Sequence, residues 1–517
     1  LHKSSHSFPT RRSSDLNWNN SAMVKVTIDG RVLETAEGTT ILAAAEQAGI
    51  SIPRFCHHPA LTPEGSCRMC VVEIEGAAKL EPACATAVRE GMKVATQTPQ
   101  VAEARRNVLE LLLADHPVDC PICDKAGECR LQDYYRDYGL FPSDLREPKT
   151  RREKLLKIGE RLILDRERCV LCTRCVRFLR DVAKTGELGV FGRGGGSEIG
   201  FIEGAAVATP YAGNLVDLCP VGAITDAAFR FRTRPWFLEP KPSICPFCGR
   251  GCGIEVDVHP GFARHPETGG IFRVRPRPDA TPAGPWICDV GRYAWIEIES
   301  RRARAIVWNK GGGGEAVLSA EKAFALLGAK IRALDEAERT GRLALVVHSG
   351  LTNEEWDDVR MFRDGFHPRP LLRLADPPDD GGDGFLRTPE RTPNRRGALA
   401  AGGADLRPLD LDELRARADL LFVFAGVRGE VTPWILHPEE WRSIRTKVLV
   451  SPVLTEADDL FDFVLPCASA FEKSGSYTNV EGRRREFGAA RPVSEGIRTE
   501  GGILRSLLEA VRRGKRE

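Results

Sequence analysis

The chain has 517 residues, 42% of them hydrophobic, enough for several domains with cores of their own. Lysine and arginine number 74 against 72 aspartates and glutamates, a net charge of +2, so no global field calls for nucleic acid or an acidic partner. No apolar run reaches the ~18 residues of a spanning helix, which leaves any membrane association to pass through other proteins.

Residues 1–22 precede the first methionine, Met23. The stretch is rich in Ser and Arg, as a transit peptide is, but has no apolar segment of a secretory signal. It also resembles translated adapter read-through, so we expect a non-native leader and begin at 23. The run 24–36, VKVTIDGRVLETA, alternates apolar and polar residues about Asp29-Gly30, which predicts a two-residue hairpin. Residues 39–50 read as a helix capped by Thr39 or Thr40 and stopped at Gly49, and 70–76 as a strand. Together these predict a small β-grasp domain. Residues 98–116 predict a helix with Val101, Val108, Leu111 and Leu112 at helical spacing, delivering His116 at its end. Residues 130–160 read as charged and connecting. Beyond 300, apolar runs at 343–350, 419–426, 446–453 and 462–466 alternate with helical stretches such as 317–338, predicting an α/β domain with a mostly parallel sheet. Within it, 377–397 is a long Pro/Gly-rich loop and 311–314, GGGG, a flexible one; no repeat of fixed period is present.

Sixteen cysteines dominate the composition, and all but Cys467 lie before residue 289. Repeated C-x2-C units in a long chain without an export signal point to metal rather than to disulfides. Four sets emerge. Cys56-x10-Cys67-x2-Cys70-x13-Cys84 keeps the C-x2-C pair of plant-type ferredoxins behind an expanded first gap, which on a β-grasp domain favours a [2Fe–2S] cluster, with structural zinc as the competitor. Cys120, Cys123 and Cys129 are one ligand short. His116, held at a fixed turn by Pro117, is the candidate fourth for a [4Fe–4S] cluster, and a zinc site of three thiolates and one imidazole is the competitor. Cys169-x2-Cys172-x2-Cys175 with Cys219-Pro220 is the bacterial ferredoxin run, split. The second cluster's places in that template hold Leu179, Thr209, Ala212 and Leu215, so one [4Fe–4S] cluster is expected. Cys245-x2-Cys248-x3-Cys252-x35-Cys288 suits another [4Fe–4S] cluster or a zinc ribbon. Cys467 is left as a buried strand-end thiol. Arg68, Arg174 and Arg177 sit among the ligands, either raising a cluster potential or simply solvated or paired with carboxylates.

The segments PRFCHHPALTPEGSCRMCVVEIE, DHPVDCPICDKAGECRLQDY, CVLCTRCVRF and DLCPVGAIT closely resemble the large iron–sulfur subunit family, the G subunits, of respiratory NADH:quinone oxidoreductase (complex I). The resemblance covers 23–300. It implies that His116, Cys120, Cys123 and Cys129 hold a [4Fe–4S] cluster, and it likens the Cys245 set to an extra cluster of some bacterial members and to that of molybdopterin-dependent formate dehydrogenases. EKSGSYTNVEGRRREFG (472–488) is similar to the molybdopterin oxidoreductase domain. No Cys lies between Cys288 and Cys467 and the domain is short, so no molybdopterin is expected.

The expected architecture is therefore multidomain α+β and α/β: a leader (1–22), a [2Fe–2S] ferredoxin-like β-grasp domain (23–100), a helical [4Fe–4S] module with one histidine and three cysteine ligands (101–140), a bacterial-ferredoxin-like [4Fe–4S] module (160–235), a four-cysteine [4Fe–4S] module of molybdopterin-oxidoreductase type (241–300) and a shortened molybdopterin-oxidoreductase-like α/β domain (301–517). GRGGG (192–196) lacks the Lys-Ser/Thr of a phosphate loop, and no dinucleotide fingerprint appears, so NADH is expected on another subunit. The implied function is electron relay in an NADH dehydrogenase, a quinone-linked translocase. Its expected partners are a flavin/NADH-binding subunit and quinone-side iron–sulfur subunits, at the cytoplasmic face of the bacterial inner membrane. By resemblance, the Cys56 and His116 sets lie nearest the electron entry and the Cys169 set near the exit. The alternatives are the relay arm of a soluble NAD-linked hydrogenase or formate dehydrogenase, and a zinc-stapled scaffold.

Overall fold

In a computed structural model, which describes residues 22–139, 147–202, 206–261, 270–309, 315–429 and 443–514, Asp29 and Gly30 form the turn that their sequence calls for. Both take left-handed backbone angles, φ 48° and 79°, as the tight hairpin twist requires. Strands Met23–Ile28 and Arg31–Ala36 pair antiparallel from Ile28↔Arg31 to Met23↔Ala36. Residues 1–21 of the expected leader 1–22, and the GGGG segment 311–314, lie outside the described residues.

The chain divides into two units, 1–207 with 218–225 and 208–217 with 226–517. The first opens with a five-stranded sheet in the order Arg31–Ala36, Met23–Ile28, Met92–Ala95, Val71–Ile74, Glu81–Pro82. Met23–Ile28 and Met92–Ala95 run parallel through Val26↔Met92, and the other pairs are antiparallel, giving the expected β-grasp. Thr40, not Thr39, caps the helix Ile41–Gln47, accepting from Ala43 N at 3.2 Å. Val26, Ile28, Leu42, Ala45, Val72 and Val94 form the core between them.

The helix Pro99–Asp115 starts where Thr98 accepts from Val101 N, with Pro99 at its first position. Its inner face differs from the expected one. Val101, Arg105 and Leu109 are buried, while Leu111 is 78% exposed. Residues 130–160 are more than a connection, because Arg130–Tyr138 is a helix. Leu131, Tyr134 and Tyr138 share one face of it: Tyr134 packs edge-on to Phe55 and its hydroxyl accepts from Arg54 N at 2.9 Å, while Tyr138 takes Arg105 at 3.1 Å.

The second unit contains an antiparallel sheet of Glu239–Ile244, Gly253–Val258 and Ile271–Pro276, then the helix Asp289–Ser300. It also contains the eight-stranded α/β sheet, in the order Glu315–Leu318, Ile306–Asn309, Phe463–Pro466, Thr446–Ser451, Leu420–Phe424, Leu343–Val347, Leu371–Leu374, Arg407–Pro408. From Phe463–Pro466 onward all neighbours are parallel, as expected. Both faces are covered, which explains the unbroken apolar runs. Leu343, Leu345 and Val347 meet the helices Ala320–Glu336, Asn353–Asp364 and Glu500–Arg513, while Ala344 and Val346 face the layer containing Leu414. Cys467 is fully buried just past Phe463–Pro466. No described helix is long and apolar enough to cross a membrane.

Candidate metal centres

The Cys56 set is gathered by the β-grasp domain. Cys70 and Cys84 belong to its core, and Cys56 is buried in the loop after Ile52. Arg68 takes φ 56°, which turns the C-x2-C segment back on itself, and its side chain is exposed. Cys56 N donates to Cys67 Sγ at 3.4 Å. Cys56 shares side-chain hydrogen bonds with Cys67 and Cys84, and Cys84 shares another with Cys70. Hydrogen bonds from Cys67 and Cys84 hold Cys56 well below the ordinary thiol range, and the hydrogen bond from Cys84 brings Cys70 down to about 7. Cys67 and Cys84 are raised for the same reason.

His116 caps the helix Pro99–Asp115 at its C-terminal end. Lys149 Nζ donates to Leu113 O at 2.6 Å and His116 O at 2.8 Å, so a cation satisfies the last turn. Val118, with φ 53°, donates its N–H to His116 Nδ1 at 3.1 Å. A metal bound at that nitrogen would replace this bond. Burial pushes the His116 imidazole down to about 4, so the ring is neutral, the form in which imidazole binds metals. Cys120, Cys123 and Cys129 share the next loop, and burial raises Cys123 and takes Cys129 up to about 11. His116 and Cys123 both feel Asp119 and Arg168, which pair at 2.9 and 2.5 Å.

The four cysteines of the Cys169 set line one cavity, together with Leu164, Ile199, Val221, Ile224 and Arg174. Leu171 and Thr173 are left-handed (φ 48° and 57°), and Leu171 N donates to Cys169 Sγ at 3.4 Å. Successive amides thus curl around the cavity, a backbone pattern that favours an anion. Burial raises Cys172 to about 11 and Cys169 to about 12.

In the second unit the four cysteines of the Cys245 set line one cavity. Cys288 precedes the helix Asp289–Ser300 and accepts from Gly291 N at 3.4 Å, placing a sulfur on the positive end of that helix. The loop 375–394 closes the cavity with Leu386, Arg387 and Arg391. In sequence it reads only as a loop, and no local signal ties it to the cysteines. The charges of Arg250 and Arg485 act on Cys252, and that of Arg387 on Cys288.

In the first unit the ligand loops of the Cys169 set contact those of the other two sets. Arg177 Nη2 donates to the carbonyls of both Cys56 and Cys172. Arg130 N donates to Pro220 O at 3.0 Å, beside Cys219, and a methyl group built on Gly222 would overlap Cys123 Sγ, so only glycine fits there. The Cys169 set is therefore joined through its own ligand loops to each of the other two. That corrects the expectation that placed it last, at the exit. Arg174 and Arg177 are also not solvated: they are 4% and 2% exposed.

The donor sets fit iron–sulfur clusters. Arg174 is a buried cation whose Nε has no partner, and among the described residues no carboxylate pairs with it. Arg105 is likewise buried beside Val71 O, next to Cys70, with an unpartnered Nε. Unpaired buried charge is costly; a thiolate-ligated cluster is an anion and removes the cost. Among the described residues no three His, Cys, Asp or Glu side chains close on one point as for a single metal ion.

Four family models match the chain. A 2Fe-2S iron-sulfur cluster binding domain matches residues 21–99, and the NADH-ubiquinone oxidoreductase-G iron-sulfur binding region matches 105–143. The ferredoxin-like domain of NADH-quinone oxidoreductase subunit 3 matches 159–225, and the molybdopterin oxidoreductase Fe4S4 domain 239–300. Curated relatives include the second NADH-quinone oxidoreductase G subunit of Rhizobium meliloti, 42% identical over 54% of this chain and 32% of the relative. The G subunit of Streptomyces coelicolor is 41% identical over 54% and 32%, and the NADH-ubiquinone oxidoreductase 75 kDa subunit of Reclinomonas americana 39% identical over 63% and 45%. The matches thus span less than half the length of these relatives. Among solved structures, an NAD+-reducing [NiFe]-hydrogenase chain is 33% identical, with a TM-score of 0.38, over 41% of this chain and 91% of that one.

Proposed function

We propose that this chain, whose iron–sulfur region is similar to the G subunits of NADH-quinone oxidoreductase, relays electrons from an NADH/flavin-bearing subunit toward quinone-side iron–sulfur subunits of a complex I. Cys56, Cys67, Cys70 and Cys84 hold one [2Fe–2S] cluster. His116 with Cys120, Cys123 and Cys129, Cys169 with Cys172, Cys175 and Cys219, and Cys245 with Cys248, Cys252 and Cys288 hold one [4Fe–4S] cluster each. The protein supplies burial, hydrogen bonds to sulfur and fixed cations, which are the factors that set a cluster's potential; the electron chemistry is the clusters' own. Docking is peripheral, through partner subunits, at the cytoplasmic face of the bacterial inner membrane.

The observation that carries this reading is the meeting of three ligand sets in one unit, with the Cys169 set bonded to both others. Electron transfer between centres falls steeply with distance, so ligand loops that share hydrogen bonds are what a relay needs. In electron paramagnetic resonance of the full chain, reduced stepwise without oxygen, a binuclear signal and cubane signals are expected. Relaxation of the binuclear signal should quicken once a cubane beside it is reduced. A binuclear signal blind to the cubanes would overturn the relay.

A further inference from the structure

Arg174 and Arg177 stand three residues apart on the short helix Arg174–Arg177, with the ligand Cys175 between them. Each spans two ligand loops that are more than 100 residues apart in the chain. Arg177 donates to Cys56 O and, at 3.1 Å, to Cys172 O, with Nη1 on Thr62 O at 2.5 Å. Arg174 Nη2 donates to His57 O at 2.6 Å, beside Cys56, and Nη1 to Leu218 O at 3.2 Å, beside Cys219. Carbonyl oxygens orient a guanidinium but do not neutralise it. Arg177 has one carboxylate, Glu64, at 2.9 Å and 36% exposed; Arg174 has none among the described residues. Two positive charges therefore lie, almost uncompensated and away from water, between the Cys56 set and the Cys169 set.

We propose that Arg174 and Arg177 are the shared counter-charge of the [2Fe–2S] cluster and the Cys169-set cluster, raising both reduction potentials together and fixing the two ligand loops against each other. This rests on the cluster assignments above. Reduction adds one negative charge to a cluster, and a nearby buried cation favours the more negative state of either. Both arginines are positioning residues, since they contact ligand backbones rather than iron. Glu64, on the outer edge, offsets part of the Arg177 charge, so its removal acts in the opposite direction.

The test is a potentiometric titration of the anaerobic full chain followed by electron paramagnetic resonance. Arg177→Gln is expected to lower the midpoints of both clusters, each by at least about tenfold in the reduction equilibrium, which is about 59 mV for a one-electron couple. Arg177→Lys, which keeps the charge and loses the fork, should shift them by less than half as much. Glu64→Gln should raise both, by a smaller amount, and the His116-set signal should move least throughout. If Arg177→Gln loses iron, Glu64→Gln decides alone, because that residue is partly exposed and the replacement isosteric. Unmoved midpoints in Glu64→Gln, or in Arg177→Gln where it retains iron, overturn the proposal. Loss of both signals in the unsubstituted chain overturns the cluster assignments instead.

Discussion

In the chain carrying His116→Ala, about four of roughly 14 bound irons are expected to disappear, together with one cubane resonance signal, while the binuclear signal stays. Three thiols stand where a cubane takes four donors, and the imidazole fills the deficit. That ring is neutral, because burial lowers it to about 4, and its backbone is fixed from both sides. Lys149 holds the His116 carbonyl, and Pro117 prevents the helix from continuing. The helix Pro99–Asp115 does not depend on that side chain, since Val101, Arg105 and Leu109 anchor it, so the variant still folds. His116→Cys, which restores a fourth ligand as an anion, should keep the iron and lower that cluster's potential, as thiolate does relative to imidazole. Unchanged iron and an unchanged spectrum in His116→Ala would refute the assignment.

The largest stability effect is expected at Lys473. Its ammonium is buried between two carboxylates, Glu355 at 3.3 Å and Glu500. Glu355 closes a capping box with Thr352 at the start of the helix Asn353–Asp364, and Glu500 opens the helix Glu500–Arg513. One cation thus ties two helix N-termini, with Glu355 as its charged partner. Breaking a buried pair from one side costs about 3–5 kcal/mol, so Lys473→Met should lower the unfolding transition of the second unit by roughly 10 °C. Burial, then the Glu355 charge, pushes Glu500 up to about 8, while Lys473 holds Glu355 low. His348, buried in the same region, is driven by burial to about 3 and stays neutral, and the Cys467 thiol stays protonated. The sign follows from linkage. Above the ordinary glutamate pKa the native state keeps a proton that the unfolded state releases, so this group's contribution falls as pH rises from about 4.5 to about 8. Glu500→Gln should flatten that slope at little cost. Calorimetry across this range checks both, and a Lys473→Met transition within 1–2 °C of the parent, an effect of well under about 1 kcal/mol, would contradict this role for Lys473.

The sequence discloses what local chemistry determines. Asp29-Gly30 is a hairpin because two left-handed residues are needed there, and the strand at 343–347 reads as an apolar run because both of its faces are covered. The Cys169 set is legible because its spacing matches a template whose other half is vacant. What stays hidden depends on contacts distant in the chain. Arg174 and Arg177 read equally well as surface charge, and only the fold buries them against Cys56 and Leu218. The helix Arg130–Tyr138 is obscured by its charges, although Leu131, Tyr134 and Tyr138 carry a helical period. The closing of the Cys245 cavity by the loop 375–394 joins positions more than 90 residues apart. The middle place of the Cys169 set follows from Pro220 and Gly222 meeting the Cys123–Cys129 loop, which no spacing predicts.

The relay stands or falls on whether fifteen cysteines and His116 grip iron and sulfide. Metal and acid-labile sulfide analysis of the full chain, purified without oxygen, decides this. About 14 iron and 14 sulfide per chain, with no more than trace zinc, is the expected result for one [2Fe–2S] and three [4Fe–4S] clusters; zinc in place of iron, with no sulfide, would contradict it.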